Sequence, residues 1–258
     1  MDEIRNPIVA LVAVCRFAAR SGLGSPFLLL GRTVRQATAS SQYLYRILSF
    51  DRLVQMLRTD RWYFAHPSSW PDPFERRVRN PLYSALFAQC WCRKGVSDAM
   101  WRIYSANGLG VRVRTEKAAL ARGLSQASLR HSWGTKVKPV RYVSESEYDA
   151  IVGKNAELNK KKVTFTRASA HLFLKRKAFE HESETRAVVF DPEQPLDGRE
   201  PGLSISLDTR NLIDSVLVDP RAPREYVEMY SHYLRSVLGF KGHVAKSKLY
   251  EDSTEREA

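Results

Sequence analysis

The sequence predicts an α+β fold, and two observations lead to that class. Short runs of β-branched and aromatic residues alternate with helical segments that begin at capping residues. No glycine-rich strand-to-helix turn of a doubly wound nucleotide fold is present. The chain of 258 residues, 43% of them hydrophobic, is long enough to bury a substantial core. We therefore expect small mixed or antiparallel sheets around a cleft, with helices at the periphery.

The predicted elements follow the chain in order. Strands are expected over residues 43–47, 61–65, 86–92, 109–114, 137–143, 179–190, 203–207 and 212–218. The predicted helices cover 50–59, 97–108, a segment after Thr115, one after a capping box at Ser144, 167–176 and 223–238. A proline-rich loop separates the second strand from the third.

Three segments are expected along the chain. Residues 1–40 form a basic extension, because no acid occurs between Ile4 and Phe50 while arginines recur. We expect this extension to pack on the domain or to contact an anionic partner. Residues 41–250 form one α+β domain, and residues 251–258 form a disordered tail.

The charge favours anionic partners. Lys and Arg total 41 against 28 acids, for a net charge of +13, which suits nucleotides, nucleic acid or an anionic surface. Three cysteines are too few for a disulfide framework, and no metal site is predicted. No apolar run is long enough to span a bilayer, so the expected location is the cytoplasm.

The stretch from Phe179 to Phe190 is the strongest candidate for a functional segment. On an extended strand Glu180, Glu182 and Glu184 would share one face, because side chains alternate with a period of two. Arg186 would continue that face and hold the nearest carboxylate ionised. The alternative is a solvated edge strand protected by charge.

Five segments in order resemble a bacterial family of uncharacterised proteins over roughly residues 43–220. The family pattern has a Tyr-Arg strand, an Asn-Asp-Pro-Phe-Glu turn, a Met-Trp-x-x-Tyr helix before a glycine, and a late Glu-x-Glu strand. The chain departs from it at Pro71 (usually Asn), Gly108 (usually His) and Thr185 (usually aromatic). The matching segments are Tyr45-Arg46, Trp62–Phe64 with Asp72–Glu75, Cys90-Trp91, Met100-Trp101 with Tyr104 and Gly110, and Glu182–Arg186.

The order of arginine, aromatic segment and Glu-x-Glu also resembles ADP-ribosyltransferases, which bind NAD between two small sheets. That resemblance implies an NAD-dependent transferase or NAD glycohydrolase, such as a bacterial toxin or defence protein. A carboxylate beside the ribose would stabilise positive charge developing in the transition state. The implied roles are catalysis for Glu184, acceptor positioning for Glu182, and cofactor binding for Tyr45, Arg46, Trp101, Tyr104 and Arg186.

Two other classes stay open. A basic nucleic-acid-binding protein, with or without nuclease activity, would use aromatic residues near Lys and Arg. A non-catalytic defence or scaffold module would bind neither NAD nor nucleic acid. In a purely structural interpretation Tyr45 and Trp101 are core aromatics, and Arg46 pairs with a glutamate. The aromatics considered for a nucleic-acid groove are Trp62, Trp91, Trp133 and Tyr142.

Overall fold

The structure is a computed structural model that describes residues 42–251, apart from 78–79, 162 and 194–201. The side chains of 158–161 are likewise not described. The predicted N-terminal extension and almost all of the predicted tail lie outside the described residues.

A mixed sheet forms the centre of the domain. Nine of the described strands join it, in the order β11-β10-β4-β1-β3-β2-β9, with β8 on the other edge of β3 and β5 beyond β8. All pairs in it are antiparallel except β10 with β11, and β6 with β7 forms a separate parallel pair. The strands are β1 Tyr43–Leu48, β2 Arg61–Ala65, β3 Leu86–Cys92, β4 Val111–Glu116, β5 Gly134–Pro139, β6 Arg141–Val143, β7 Leu174–Arg176, β8 Glu184–Phe190, β9 Gly202–Ser206, β10 Ser215–Val218 and β11 His243–Lys246.

The sheet forks at β3. One edge of β3 pairs with β8 along its whole length, from Leu86 to Cys92. The opposite edge is shared: β1 meets it only at Tyr45 with Cys92, and β2 only at Ala65 with Ala88. The arm with β1 and the arm with β2 therefore diverge from β3, and the space between them is open for side chains.

Helices cover the sheet. The described helices are α1 Phe50–Thr59, α2 Pro73–Arg76, α3 Asp98–Tyr104, α4 Lys117–Ser128, α5 Glu145–Lys161, α6 Phe165–Ala168, α7 Thr209–Leu212 and α8 Arg224–His232. The last of these continues as a π-helical turn over Tyr233–Val237. Leu53 of α1 and Leu120 of α4 pack in the main core with the stacked pair Trp62 and Trp91, whose ring centroids are 5.8 Å apart.

A second apolar cluster covers the other face of β3 and β8. It contains Trp70, Leu86, Leu172 and Val188. Because both faces of β3 are covered, its sequence is apolar apart from the buried Gln89, which donates to the Tyr63 carbonyl and accepts from Trp91 Nε1.

The α+β class with mixed sheets and peripheral helices is confirmed, and the strands predicted over 61–65 and 86–92 and the helix over 50–59 agree with the structure. The helix predicted over 167–176 is wrong. Those residues form the end of α6, a 3-10 turn over Ala170–Phe173 and strand β7. The strand predicted over 212–218 begins only at Ser215, because Asp208 caps the short helix α7. Strand β11 was not predicted.

Candidate functional site

A cavity of about 500 Å³ opens where β1 leaves β3. It receives side chains from β1, the start of α1, the end of β3, α3 and the segment before β8. Five of the seven site residues predicted from the sequence line it, whereas Trp101 and Arg186 do not. The lining residues are Tyr45, Arg46, Ile47, Leu48, Ser49, Arg52, Cys90, Trp91, Cys92, Met100, Tyr104, Glu182 and Glu184.

Arg46 and Arg52 make one side of the cavity cationic. Within the part of the chain that the structure describes, neither guanidinium has a hydrogen bond or an ion pair. Burial lowers the pKa of Arg46, and the positive charge of Arg52 lowers it further. The pairing of Arg46 with Glu182 or Glu184, considered as the structural alternative, is therefore not observed. A partly buried guanidinium without a counterion is stabilised by any anion that enters the cavity.

Glu182 and Glu184 face the cavity from the opposite side, and Lys175 lies between them. The Lys175 Nζ atom donates to Glu182 Oε2 at 2.5 Å and to Glu184 Oε2 at 3.2 Å. Burial alone would lower the pKa of Lys175, but the surrounding carboxylates raise it. The lysine is therefore charged and holds both carboxylates in place.

Arg186 lies beneath the cavity, 1% exposed, and anchors Glu184. Its Nε and Nη2 atoms donate to the two carboxylate oxygens of Glu184 at 2.8 and 2.9 Å. Nη2 also donates to Glu75, and Nη1 donates to the Leu172 carbonyl at 2.7 Å. The guanidinium stacks over the Trp70 ring at 4.3 Å. Arg186 is thus a buried anchor for Glu184 that does not line the cavity, and its role in cofactor binding stays a prediction.

The network gives the carboxylates different titration behaviour. Burial would raise the pKa of Glu184, but Arg186 and Lys175 lower it to about 2. For Glu75 burial prevails over the attraction of Arg186, so its pKa is raised. Burial raises the pKa of the Cys90 thiol, and the negative charge of Glu184 raises it further, so the thiol is protonated at neutral pH. Glu184 is consequently ionised and has no free carboxylate oxygen.

The backbone around Ser183 differs from the predicted strand. Residues Lys177–Glu182 form a 3-10 turn, Ser183 adopts a left-handed conformation with φ of 45°, and only then does β8 begin. The Ser183 carbonyl accepts from the backbone N–H of Arg93 at 2.9 Å and from its Nε at 3.2 Å. The expectation that Glu180, Glu182 and Glu184 share one strand face is therefore wrong, and Glu180 is exposed.

The two aromatic residues of α3 have different environments. Tyr104 is 47% exposed and lines the cavity, so it can contact a ligand. Trp101 is 1% exposed and does not line the cavity, so its role in binding a cofactor stays a prediction that this arrangement does not favour. Gly108, where the resembling family usually has His, has φ of 71° and forms a turn after α3. A glycine fits this backbone without the strain that a side chain would bring.

Glu75 and Lys175 are the site-network residues that the sequence did not predict. Glu75 belongs to α2, where Asp72 caps the helix through a 3.0 Å bond from Phe74 N–H. Glu75 lies in the first turn of this helix, and its side chain reaches the distant Arg186. Lys175 was not predicted as a site residue because its segment was predicted to be helical. Had β7 been recognised, a buried lysine in this short strand would have indicated a partner carboxylate.

Two further observations concern the described residues. No three of their His, Cys, Asp or Glu side chains are grouped as metal ligands would be. None of their helices combines the length and the apolar character that a membrane span requires.

Comparisons with known proteins give one family and a set of distant structures. A family model described as Protein of unknown function (DUF2971) matches residues 100–187, less than half of the chain. The match agrees with the resemblance to a family of uncharacterised proteins. The individual motifs of that resemblance stay predictions. The search of curated proteins finds no match.

Three solved structures of DarT from Thermus sp. 2.9 are similar to the chain, covering 81% of it in each case. The complex with NAD+ is 14% identical with a TM-score of 0.39 over 96% of that chain. The complex with carba-NAD+ is 12% identical with a TM-score of 0.38 over 97%. The complex with ADP-ribosylated ssDNA is 14% identical with a TM-score of 0.38 over 95%. Scores of this size do not by themselves establish a shared fold.

Proposed function

We propose that this cavity binds NAD and that the protein cleaves the bond between nicotinamide and ribose, as an ADP-ribosyltransferase or an NAD glycohydrolase. The observation that carries the proposal is the convergence of Arg46 and Arg52, which lack counterions among the described residues, with the buried carboxylates Glu182 and Glu184 around one cavity. The proposed chemistry needs both the cations and the carboxylates. Cations bind the pyrophosphate, and a carboxylate stabilises the ribosyl cation that develops in the transition state.

The size and lining of the cavity suit a dinucleotide. A volume of about 500 Å³ lies within the ~300–1,000 Å³ typical of small-molecule sites. Arginine forms paired hydrogen bonds to phosphate oxygens, so Arg46 and Arg52 are the proposed pyrophosphate contacts. Tyr45 and Tyr104 supply aromatic surface near the carboxylates, where a nicotinamide ring would pack.

The reaction needs little covalent chemistry from the protein. When the C1′–N bond breaks, its electron pair moves to the nicotinamide nitrogen and neutralises the pyridinium ring. The ribose is left as an oxocarbenium ion, which the hydroxyl of an acceptor or a water attacks with loss of its proton. A fixed carboxylate next to C1′ stabilises that cation more than it stabilises bound NAD, and this difference accelerates the reaction.

Glu182 fits this catalytic role better than Glu184, which the sequence had favoured. Both oxygens of Glu184 are bonded to Arg186, and one also accepts from Lys175, so its charge is largely neutralised. For Glu182, Lys175 is the single described partner, and the side chain lines the cavity. We therefore assign the electrostatic role to Glu182, with Lys175 and Glu184 as residues that position it.

Nicotinamide release from NAD by the purified full-length protein tests the proposal. Glu182→Gln keeps the shape of the side chain and removes its charge, so we expect turnover to fall about 10²–10³-fold. The protein should still fold, because Glu182 is not bonded to Arg186. Binding of NAD, followed as a rise in melting temperature, should change little.

The matched control is Glu180→Gln, an exposed carboxylate two residues away on the same 3-10 turn. It should leave turnover and melting temperature unchanged. Wild-type protein that neither binds NAD nor releases nicotinamide, with or without protein or nucleic-acid acceptors, would overturn the proposal. A folded Glu182→Gln variant with full turnover would instead refute the role given to that residue.

A further inference from the structure

A groove continues from the candidate site across the fork of the sheet. A second cavity of about 310 Å³ shares Arg46, Leu48 and Arg52 with the first. A third cavity of about 390 Å³ shares Arg61 and Ser204 with the second. We call the second and third cavities together the arginine groove. It runs from the start of α1, over the outer face of β2 and β9, to the end of α4.

Cations line this groove without compensating acids. Arg52 contributes from α1, Arg61 from β2 and Arg130 from the turn after α4, and Arg46 lies at the boundary with the first cavity. Arg61 donates to the Ser204 carbonyl at 3.2 Å, which fixes its guanidinium on the surface of the groove. Among the described residues that line the second and third cavities, none is acidic.

Aromatic rings are interleaved with these cations. Tyr63 is 41% exposed, and its ring occupies the space beside Gly202 that a Cβ atom would need. The ring is thus supported on one side by the backbone of β9. At the far end His131 and Trp133 are stacked, with centroids 4.2 Å apart and planes within 11°. Gln55 and Ser204 offer hydrogen-bonding groups between the rings.

We propose that the arginine groove binds single-stranded nucleic acid. Guanidinium groups that follow a groove would contact successive phosphates, and exposed rings between them would stack on bases. The two cavities have volumes of about 390 and 310 Å³, which suits unstacked bases, whereas the bases of a duplex are stacked and paired inside the helix. An acidic peptide would use the arginines but would leave the aromatic rings without matching partners.

The residues of this groove differ from those considered in the sequence analysis. Trp62 and Trp91 belong to the core and stack on each other. The hydroxyl of Tyr142 accepts from the backbone N–H of Glu184 at 2.7 Å. Only Trp133 of the original four lines the groove.

Fluorescence anisotropy tests the proposal. The full chain, without NAD, is titrated against a labelled single-stranded oligonucleotide of mixed sequence, once as DNA and once as RNA. The result is therefore independent of NAD cleavage. We expect the single strand to bind more tightly than the duplex of the same sequence, with affinity that falls as salt rises.

Variants locate the binding surface. Arg61→Ala and Arg130→Ala should each weaken binding and reduce the slope of log affinity against log salt by about 0.7. Tyr63→Ala should weaken binding about tenfold, the order expected for one lost base stack. The matched control is Arg58→Ala, because Arg58 is exposed on α1 and lines neither cavity. Circular dichroism confirms that each variant is folded.

Three outcomes would overturn the proposal. Equal affinity for the duplex would show that binding does not depend on unstacked bases entering the arginine groove. An effect of Arg58→Ala as large as that of Arg130→Ala would show diffuse electrostatic attraction, to which the arginines of residues 1–41 would also contribute. Full displacement by an equal concentration of inorganic polyphosphate, with no loss in Tyr63→Ala, would show that any polyanion suffices.

Discussion

The two sides of the cavity handle charge in opposite ways. On the acidic side every charged group is bonded: Glu182 and Glu184 share Lys175, and Arg186 joins Glu184 to Glu75. On the cationic side Arg46 and Arg52 have no counterion within the described residues. Buried charges that are paired with one another define a rigid shape, whereas cations without partners mark the place that an anion would occupy.

This difference separates residues that support the site from residues that would contact a ligand. Removing Glu184 from the paired side deprives the buried Arg186 of a counterion, so the main loss should be in stability. Glu182 is the exception on this side, because Lys175 keeps Glu184 as a partner when the charge of Glu182 is removed. Removing a cation from the other side leaves no such charge, so the main loss should be in binding. Four predictions follow this division, from the largest expected effect to the smallest.

Glu184→Gln should destabilise the protein by about 3–5 kcal/mol, because it leaves the buried guanidinium of Arg186 without its bidentate partner. Chemical denaturation by urea, followed by circular dichroism, measures the change. Glu180→Gln is the control and should stay within about 0.5 kcal/mol of wild type. If both variants are equally stable, Arg186 does not depend on Glu184 and the anchoring role is wrong.

Acidic pH should destabilise the fold by protonating the carboxylates on the acidic side of the cavity. The pKa of Glu184 is depressed to about 2, so the unfolded chain binds its proton first, and stability is lost as pH falls from the unfolded value near ~4.5. This depression corresponds to about 3 kcal/mol. Burial also lowers the pKa of His171 to about 4, which adds a loss that begins below pH ~6.5.

Melting temperatures between pH 8 and pH 3 test this expectation. They should fall steadily below pH ~6.5, and the fall below pH ~4.5 should be smaller in a folded Glu184→Gln variant. A flat profile down to pH 3 would contradict the assigned pKa depressions.

Arg46→Ala should weaken NAD binding about tenfold to a hundredfold, the range for a lost hydrogen bond to a charged group. Its stability should change little or improve, since the guanidinium is desolvated without a partner among the described residues. Isothermal titration with NAD and with ADP-ribose measures the effect. Equal losses for both ligands would place Arg46 at the pyrophosphate. A loss confined to NAD would place it at the nicotinamide end instead.

Arg52→Ala should weaken NAD binding by only a fewfold, because this exposed arginine on α1 contributes through a partly screened contact. Arg58→Ala on the same helix is the matched control and should bind NAD like wild type. The difference between the two variants should shrink as salt is raised. An equal effect of both substitutions would assign the contribution to net charge and remove Arg52 from the site.

Local patterns in the sequence predicted much of this arrangement. The strands over 61–65 and 86–92 and helix α1 have clear periodicity, and the order of Arg46, Tyr104 and the two glutamates indicated one shared cavity. The partners of buried charges were not predictable in this way. Glu75 and Lys175 reach the site through long-range packing, and Trp101 resembled a ligand contact although its side chain fills the interior.

The 3-10 turn over Lys177–Glu182 misled the strand assignment for a related reason. Three glutamates spaced by two residues satisfy a strand pattern, and nothing local shows that the strand begins only at Glu184. The deciding interactions are the bonds from Arg93 to the Ser183 carbonyl, and Arg93 is distant in sequence.

The left-handed Ser183 also restricts how this segment can vary. It is the joint that lets Glu182 face the cavity from a turn while Glu184 faces it from a strand. Inserting or deleting a single residue there would change the direction of Glu182 relative to Glu184 and separate it from Lys175, which both carboxylates share. The two glutamates are therefore tied to one spacing, and substitutions between them are restricted to residues that tolerate positive φ, such as Gly, Asn or Asp. A sequence search for proteins with the same site can use this restriction, because a Glu-Gly-Glu or Glu-Asn-Glu segment would preserve the geometry whereas Glu-Val-Glu would not.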